Sequence, residues 1–281
     1  MSKASKSPLT VARTAYAVGR AALPKYAHKF SRHDFTCAQL FAVLVLRKFM
    51  KEDYRGVMAY LAEWAELREA LDFHDKLPHF TTPAKASAKL LDEALIRKLL
   101  KQTLDQAYKP HRKLDIDDDD VAYVMRIDQA AIDSTGFESN HCSRYFAHRR
   151  KQGKDKDEPV CYRRYGKLGL IVDCDRHLIL SLLPGRGPKP DIDELEPLMR
   201  RLAPNVWPDQ LLADAGYDSE SNHQLLRERC GVESVIPPRH GRPPKRPDHL
   251  PAGKWRWLMA TDFNEDGYGQ RWQVETVMFM L

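Results

Sequence analysis

The sequence predicts an α/β fold: a mixed sheet flanked by helices, preceded by a helical region. Three observations predict it. The apolar period changes from helical to alternating near residue 121. The first strands are consecutive and the later ones alternate with helices, which gives a mixed sheet. Two apolar, small-residue segments, 130–133 and 211–214, each end on an aspartate, Asp133 and Asp214.

The 281 residues are 43% hydrophobic and 30% charged, enough for a sizeable core in one large or two smaller domains. The formal charge is +6 and the pI about 9.0. Basic residues cluster at 144–156 and 239–246, which favours a polyanionic partner. The five cysteines, Cys37, Cys142, Cys161, Cys174 and Cys230, are widely spaced without a C-x-x-C. That pattern excludes a disulfide scaffold and fits a reduced, cytoplasmic protein. The apolar run 40–46 is far short of the ~20 residues of a membrane span. No N-terminal segment has the apolar core expected of a signal peptide.

Residues 1–30 are basic without long apolar periodicity and read as a flexible arm able to touch phosphate. Residues 31–115 read as helical. Thr36 can cap a helix carrying Leu40, Phe41, Leu44, Val45 and Phe49. Tyr54, Val57, Met58 and Leu61 continue the pattern. Thr81 or Thr82 can cap one further helix through Leu90, Leu91, Leu95, Leu99 and Leu100. These helices either include a helix-turn-helix that reads DNA or only pack and dimerise. Residues 109–120, with the run Asp117 to Asp120, read as a linker.

From Val121 alternation predicts a strand that Ala130 to Asp133 prolongs or re-forms, with Ser134-Thr135-Gly136 as a turn. Residues 168–172 and 177–183 form a hairpin around Asp173 to Arg176, and 184–188 a loop. Asp191 or Asp193 starts a helix through Leu202. Residues 210–213 are a buried strand, Asp218 or Ser219 caps a helix to Arg229, and Gly231 closes it. Residues 233–236 form a short strand, and a terminal helix follows Gly267. No G-x-G-x-x-G follows the first strand and no G-x-x-x-x-G-K-[ST] occurs, which excludes dinucleotide and P-loop sites.

Asp133, Asp214 and Glu275 are the candidate catalytic and metal-binding residues. Acids anchored on strand ends and a helix suit divalent ions that activate an oxygen and neutralise a phosphate. Tyr268, Arg271 and Glu275 stand at i, i+3 and i+7, within about 60° of one another on a helix. An arginine there keeps the carboxylate ionised and can reach phosphate. Asp128 lies on the opposite strand face from Asp133. Cys142, Cys161 and Cys174 fit no standard zinc spacing. Arg144, Arg149, Arg150 and Lys151 are candidates to grip DNA entering the site. Arg239, Arg242, Lys245 and Arg246 either hook a minor groove or contact phosphate. Trp255 and Trp257 either stack on a base or lie in the core.

Taken in order, Ile132-Asp133-Ser134-Thr135-Gly136, Ala213-Asp214-Ala215-Gly216-Tyr217-Asp218-Ser219 and Tyr268-x-x-Arg271-x-x-x-Glu275 resemble the DDE transposases of bacterial insertion sequences of the IS4/IS5 type. Lys167-Leu168, Tyr54-Arg55 and Pro78-His79-Phe80-Thr81-Thr82 add to the resemblance, which covers most of the chain from about residue 33. It implies an RNase H-like core over residues 116–281, two Mg²⁺ or Mn²⁺ ions held by Asp133, Asp214 and Glu275, and strand cleavage and transfer at terminal inverted repeats. Double-stranded DNA is the implied partner, bound by a homodimer in the bacterial cytoplasm, at the nucleoid. Tyr268 and Arg271 join the implied DNA contacts. Two other readings use the same acids: a nuclease of this fold that does not join, and an inactive DNA-binding remnant. The family usually places a lysine seven positions after the glutamate. The chain ends at Leu281, before that position, inside an uncapped apolar helix. The expectation is a truncated terminal helix.

Overall fold

The computed structural model describes residues 6–30, 32–90, 92–108, 125–137, 165–187, 189–203, 206–238 and 250–281. The chain forms two compact units, Met1–Ile116 and Asp117–Leu281.

The described part of the first unit is helical. Helix α1, Pro8–Ala22, replaces the flexible arm expected there. Ser7 caps it, Pro8 opens it, and Ala12, Ala15, Val18 and Gly19 are buried along one stripe. These small residues let α1 lie close to α2, Cys37–Phe49: a Cβ on Gly19 would stand 3.0 Å from the Ala38 Cα. Thr36 closes α2 with a capping box shared with Gln39. Then come α3, Tyr54–Glu63, capped by Asp53, and α4, Ala65–Ala70. The single helix expected after Thr81 is two, α5 at Thr81–Leu90 and α6 at Glu93–Ala107. The break is set by Asp92, whose carboxylate accepts from the Ala94 and Leu95 N–H groups. Leu46, Leu61, Leu67 and Leu71 are fully buried in one core cluster of this unit, each stabilising by roughly 1.5–3 kcal/mol.

The second unit is built on a five-stranded sheet of order β3-β2-β1-β4-β5. The strands are β1 Met125–Phe137, β2 Tyr165–Asp173, β3 Ile179–Gly187, β4 Val206–Leu212 and β5 Glu233–Val235. The first three are antiparallel neighbours, while β4 runs parallel to β1 and β5 parallel to β4. This is the mixed α/β sheet of an RNase H-like core. Two expected loops are strand. Ser134, Thr135 and Gly136 pair with Gly169, Leu168 and Lys167, so β2 holds them extended and no turn forms after Asp133. Pro184 to Gly187 likewise pair back onto β2. The hairpin turn stands as expected, with the Asp173 carboxylate accepting from the Asp175 and Arg176 N–H groups.

Between β3 and β4 run a 3-10 turn, Asp191–Asp193, and α7, Leu195–Arg200. After β4 comes α8, Glu220–Gln224, capped by Ser219 and continued by a π-turn to Arg229. Asp218 does not cap it; its carboxylate accepts from Arg256 on α9, Lys254–Thr261, at 2.8–3.0 Å. Glu220 accepts from the first N–H groups of α9 at Trp255 and Arg256. Trp255 donates to Glu228 with Arg227 and Lys254 against its ring, and Trp257 is exposed.

The terminal segment is α10 at Glu265–Tyr268, a 3-10 turn at Gly269–Trp272, and α11 at Gln273–Met280. Val274 and Val277 of α11 lie in a buried cluster with Ala131, Leu170, Val172, Leu212 and Val235 of the sheet, and Tyr268 packs against it. This packing carries Glu275. Among the described residues no helix is long and apolar enough to cross a membrane.

Candidate active site

Strand register places the first two acids together. Ala130 and Ala131 of β1 pair in parallel with Leu211 and Leu212 of β4. Carried two residues on, that register sets Asp133 beside Asp214, on strands whose usual spacing is about 4.8 Å. Here β4 ends at Leu212, while β1 runs on, paired with β2, to Phe137. Asp214 then caps the 3-10 turn Ala215–Tyr217, its Oδ1 accepting from the Gly216 N–H at 2.8 Å. Asp133 accepts from the Ser134 N–H at 2.7 Å.

The pair is electrostatically costly. Burial pushes the Asp133 carboxyl above its ordinary range, and the charges of Asp214 and Asp191 push the same way. The Ser134 N–H and Arg271 oppose that rise without cancelling it. Two neighbouring carboxylates, one of them largely buried, are the donor chemistry that a hard divalent cation suits.

Glu275 joins through an arginine. Arg271 donates to Glu275 Oε1 at 2.5 Å and lies 3.5 Å from Asp133 Oδ2. The 3-10 turn makes the Tyr268–Arg271–Glu275 face irregular, and of the three Arg271 makes the contact with Asp133. The Tyr268 hydroxyl is raised by burial; Arg271 opposes this, and Asp214, Asp133 and Glu275 add to it. Tyr268 also meets Phe263 edge to face, at 5.2 Å between centroids. Glu275 is 55% exposed, so the site is open on its side. Among the described residues no group of three or more His, Cys, Asp or Glu is set to hold a metal ion. The β1–β4 register sets Asp133 beside Asp214, and Arg271 links Glu275 to Asp133.

On the opposite face of β1 lies a network that local sequence reading missed. The Ser134 hydroxyl donates to Asp191 Oδ1 at 2.6 Å, and Lys167 donates to the same oxygen at 2.6 Å. Lys167 also pairs with Glu194 at 2.8 Å and donates to the Lys189 carbonyl. Asp191 reads in sequence as a helix start, and nothing local reveals its partners. The signal available is Lys167, a charged residue within an apolar strand.

Asp128 is exposed. Cys174 is buried, while Cys142 and Cys161 lie outside the described residues. So do Asp117 to Asp120 and the candidates Arg144, Arg149, Arg150, Lys151, Arg239, Arg242, Lys245 and Arg246.

The family model described as "Transposase DDE domain" matches residues 125–280, more than half of the chain. That span contains Asp133, Asp214 and Glu275. No curated protein and no solved structure matches the chain significantly. With the mixed sheet and the family match together, the chain belongs to the transposase DDE domain family.

Proposed function

We propose that this protein is a metal-dependent transposase that cuts DNA at terminal inverted repeats and transfers the freed strand to target DNA. The observation that carries the reading is the pairing of Asp133 with Asp214 at the open end of two parallel strands, with Arg271 linking Asp133 to Glu275. Asp133, Asp214 and, from α11, Glu275 are the residues that would hold two Mg²⁺ or Mn²⁺ ions. The ions, when bound, supply an activated oxygen nucleophile and neutralise charge on the scissile phosphate. Asp133 has most to gain, since a cation relieves the repulsion that burial and Asp214 impose on its ionised form. Arg271 orients Glu275 through its hydrogen bond, and its guanidinium suits a DNA phosphate. The two basic clusters, Arg144 to Lys151 and Arg239 to Arg246, supply sequence-independent contacts to double-stranded DNA. A homodimer holds two ends for joining, as the family resemblance implies. The IS4/IS5 type rests on the same three sequence phrases.

Incubation with labelled terminal-repeat DNA and Mg²⁺ tests the reading. The expected products are a cleaved strand and a joined strand, both absent for Asp214→Ala. Cleavage without joining makes the protein a nuclease. DNA binding without either product makes it an inactive DNA-binding protein. Unchanged cutting by Asp214→Ala removes the acid assignment.

A further inference from the structure

The first unit carries a groove of about 400 Å³ between helix α5 and the segment that leads into α2. Leu40, Ala86 and Leu90 give it an apolar lining. Arg32 lines it from the segment, and Lys85 and Lys89 line it from α5. The two lysines stand four residues apart, so they share one helix face, and both are exposed. Helix α5 contains no acid.

The segment side of the groove is ordered. The Cys37 N–H donates to the Lys25 carbonyl at 2.9 Å and closes the segment at its base. The Tyr26 ring stacks on His33 with centroids 4.1 Å apart. Lys25, Lys29 and Arg32 are exposed here, and the sequence from Pro24 to His33 holds no acid. Lys29 lies 4.8 Å from the Phe30 ring centre, and Phe30 is itself 80% exposed.

The charge of this surface is not balanced from within. Among the described residues lining the groove the one acid is Asp34, and Lys76 already pairs with it at 2.7 Å. Arg32 shares the same carboxylate at 3.6 Å. Lys25, Lys29, Lys85 and Lys89 form no ion pair among the described residues. Like charges gathered in this way repel one another and weaken the compact state, and a polyanion relieves that repulsion. An apolar lining between cations on two sides matches a sugar-phosphate strand, with deoxyribose against the lining and phosphates against the cations.

We infer that this groove binds the backbone of double-stranded DNA without reading its sequence. The inference rests on the reading of the protein as one that acts on DNA. It gives the first unit a DNA contact in addition to its helix packing. Each cation that neutralises a phosphate adds about 0.9 to the steepness of log K against log salt concentration.

Fluorescence anisotropy of a labelled duplex of arbitrary sequence tests the inference, with the full chain titrated at several salt concentrations and no divalent metal. Lys85→Ala with Lys89→Ala removes two cations from an exposed helix face that alanine suits. The slope is expected to become shallower by about 1.8, with weaker binding at low salt. Arg32→Ala is expected to remove about 0.9, and it keeps the test intact if the helix variant fails to fold. Arg97→Ala with Lys101→Ala is the control, since Glu93 and Asp105 already pair with those cations on α6, and it is expected to keep the parent's slope. The parent's slope in either folded groove variant overturns the inference and leaves the proposed function standing. So does a control that loses as much as the groove variants. A parent that binds neither this duplex nor terminal-repeat DNA overturns both.

Discussion

Replacing Lys167 by methionine tests the buried charge network beneath the acids. The Lys167 side chain is 5% exposed and that of Glu194 8%. One oxygen of Glu194 is bonded by Lys167, and the other is buried without a hydrogen-bond partner among the described residues. Methionine fills the lysine stem's space but removes the cation that pairs with Glu194 at 2.8 Å. Breaking a buried pair from one side costs about 3–5 kcal/mol, because the remaining charge stays desolvated. Asp191 is a third exposed and adds little to that figure. For a unit of this size the loss is roughly 6–20 °C in Tm. Four of the five tryptophans, Trp207, Trp255, Trp257 and Trp272, lie in the second unit, so their fluorescence reports its melting. Burial alone would lower the Lys167 ammonium, but its hydrogen bonds to Asp191 and Glu194 and their charges leave it raised. Its contribution is therefore full below the unfolded lysine value of about 10.4 and is lost as pH rises through the folded value. Lys167→Met with Glu194→Leu removes both buried charges and is expected to recover at least half the loss. A single variant melting within about 2 °C of the parent refutes the reasoning. So does a double variant no better than the single one.

Other outcomes follow from the same physics. The folded state holds the Asp133 proton more tightly than the unfolded chain does. The stability this lends is complete below about pH 3.9 and lost as pH rises through the folded value. Metal-free Asp133→Asn should thus melt above the parent near neutrality, the gap closing in acid; a variant that melts lower at every pH contradicts this. The Cys174 thiol is pushed up to about 12, chiefly by burial and further by Asp173. Peptide mass mapping after iodoacetamide near pH 8 should find it unmodified in folded protein and modified in urea. Gly19→Val should destabilise the first unit by about 1–3 kcal/mol, since its Cβ would meet Ala38 and Phe41. A denaturant midpoint no lower than the parent's shows that α1 does not need that close approach.

What was legible in the sequence was local. Thr36 announced the start of α2, and the Asp173 turn announced its hairpin. Asp133 and Asp214 stood out because small apolar residues precede each, and both are strand-borne or strand-following in the fold. What was missed depends on partners distant in sequence. Ser134-Thr135-Gly136 has turn chemistry, but the facing strand β2 overrides it. Helix α1 buries alanines and a glycine, a stripe too small to register as apolar periodicity. Asp191 looks like an ordinary helix start because Ser134 and Lys167 are 57 and 24 residues away.

The pleat of β1 gives these observations one cause. Successive side chains of a strand point to opposite faces. Asp133 therefore faces the side where α11 docks and meets Arg271, while Ser134 faces the other side and meets Asp191. Each face brings its own cation, Arg271 on one and Lys167 on the other, and each cation is shared between two carboxylates. The acids are thus only partly neutralised from either side. The surplus negative charge collects where β4 ends, at Asp133 and Asp214, and it is there that the Asp133 carboxyl resists ionisation. A protein folded only for stability gains nothing from that arrangement, since apolar residues would fill the same space at no electrostatic cost. Under the proposed function a divalent cation would supply the missing charge, and Arg271 and Lys167 would hold the surrounding carboxylates in place for it beforehand.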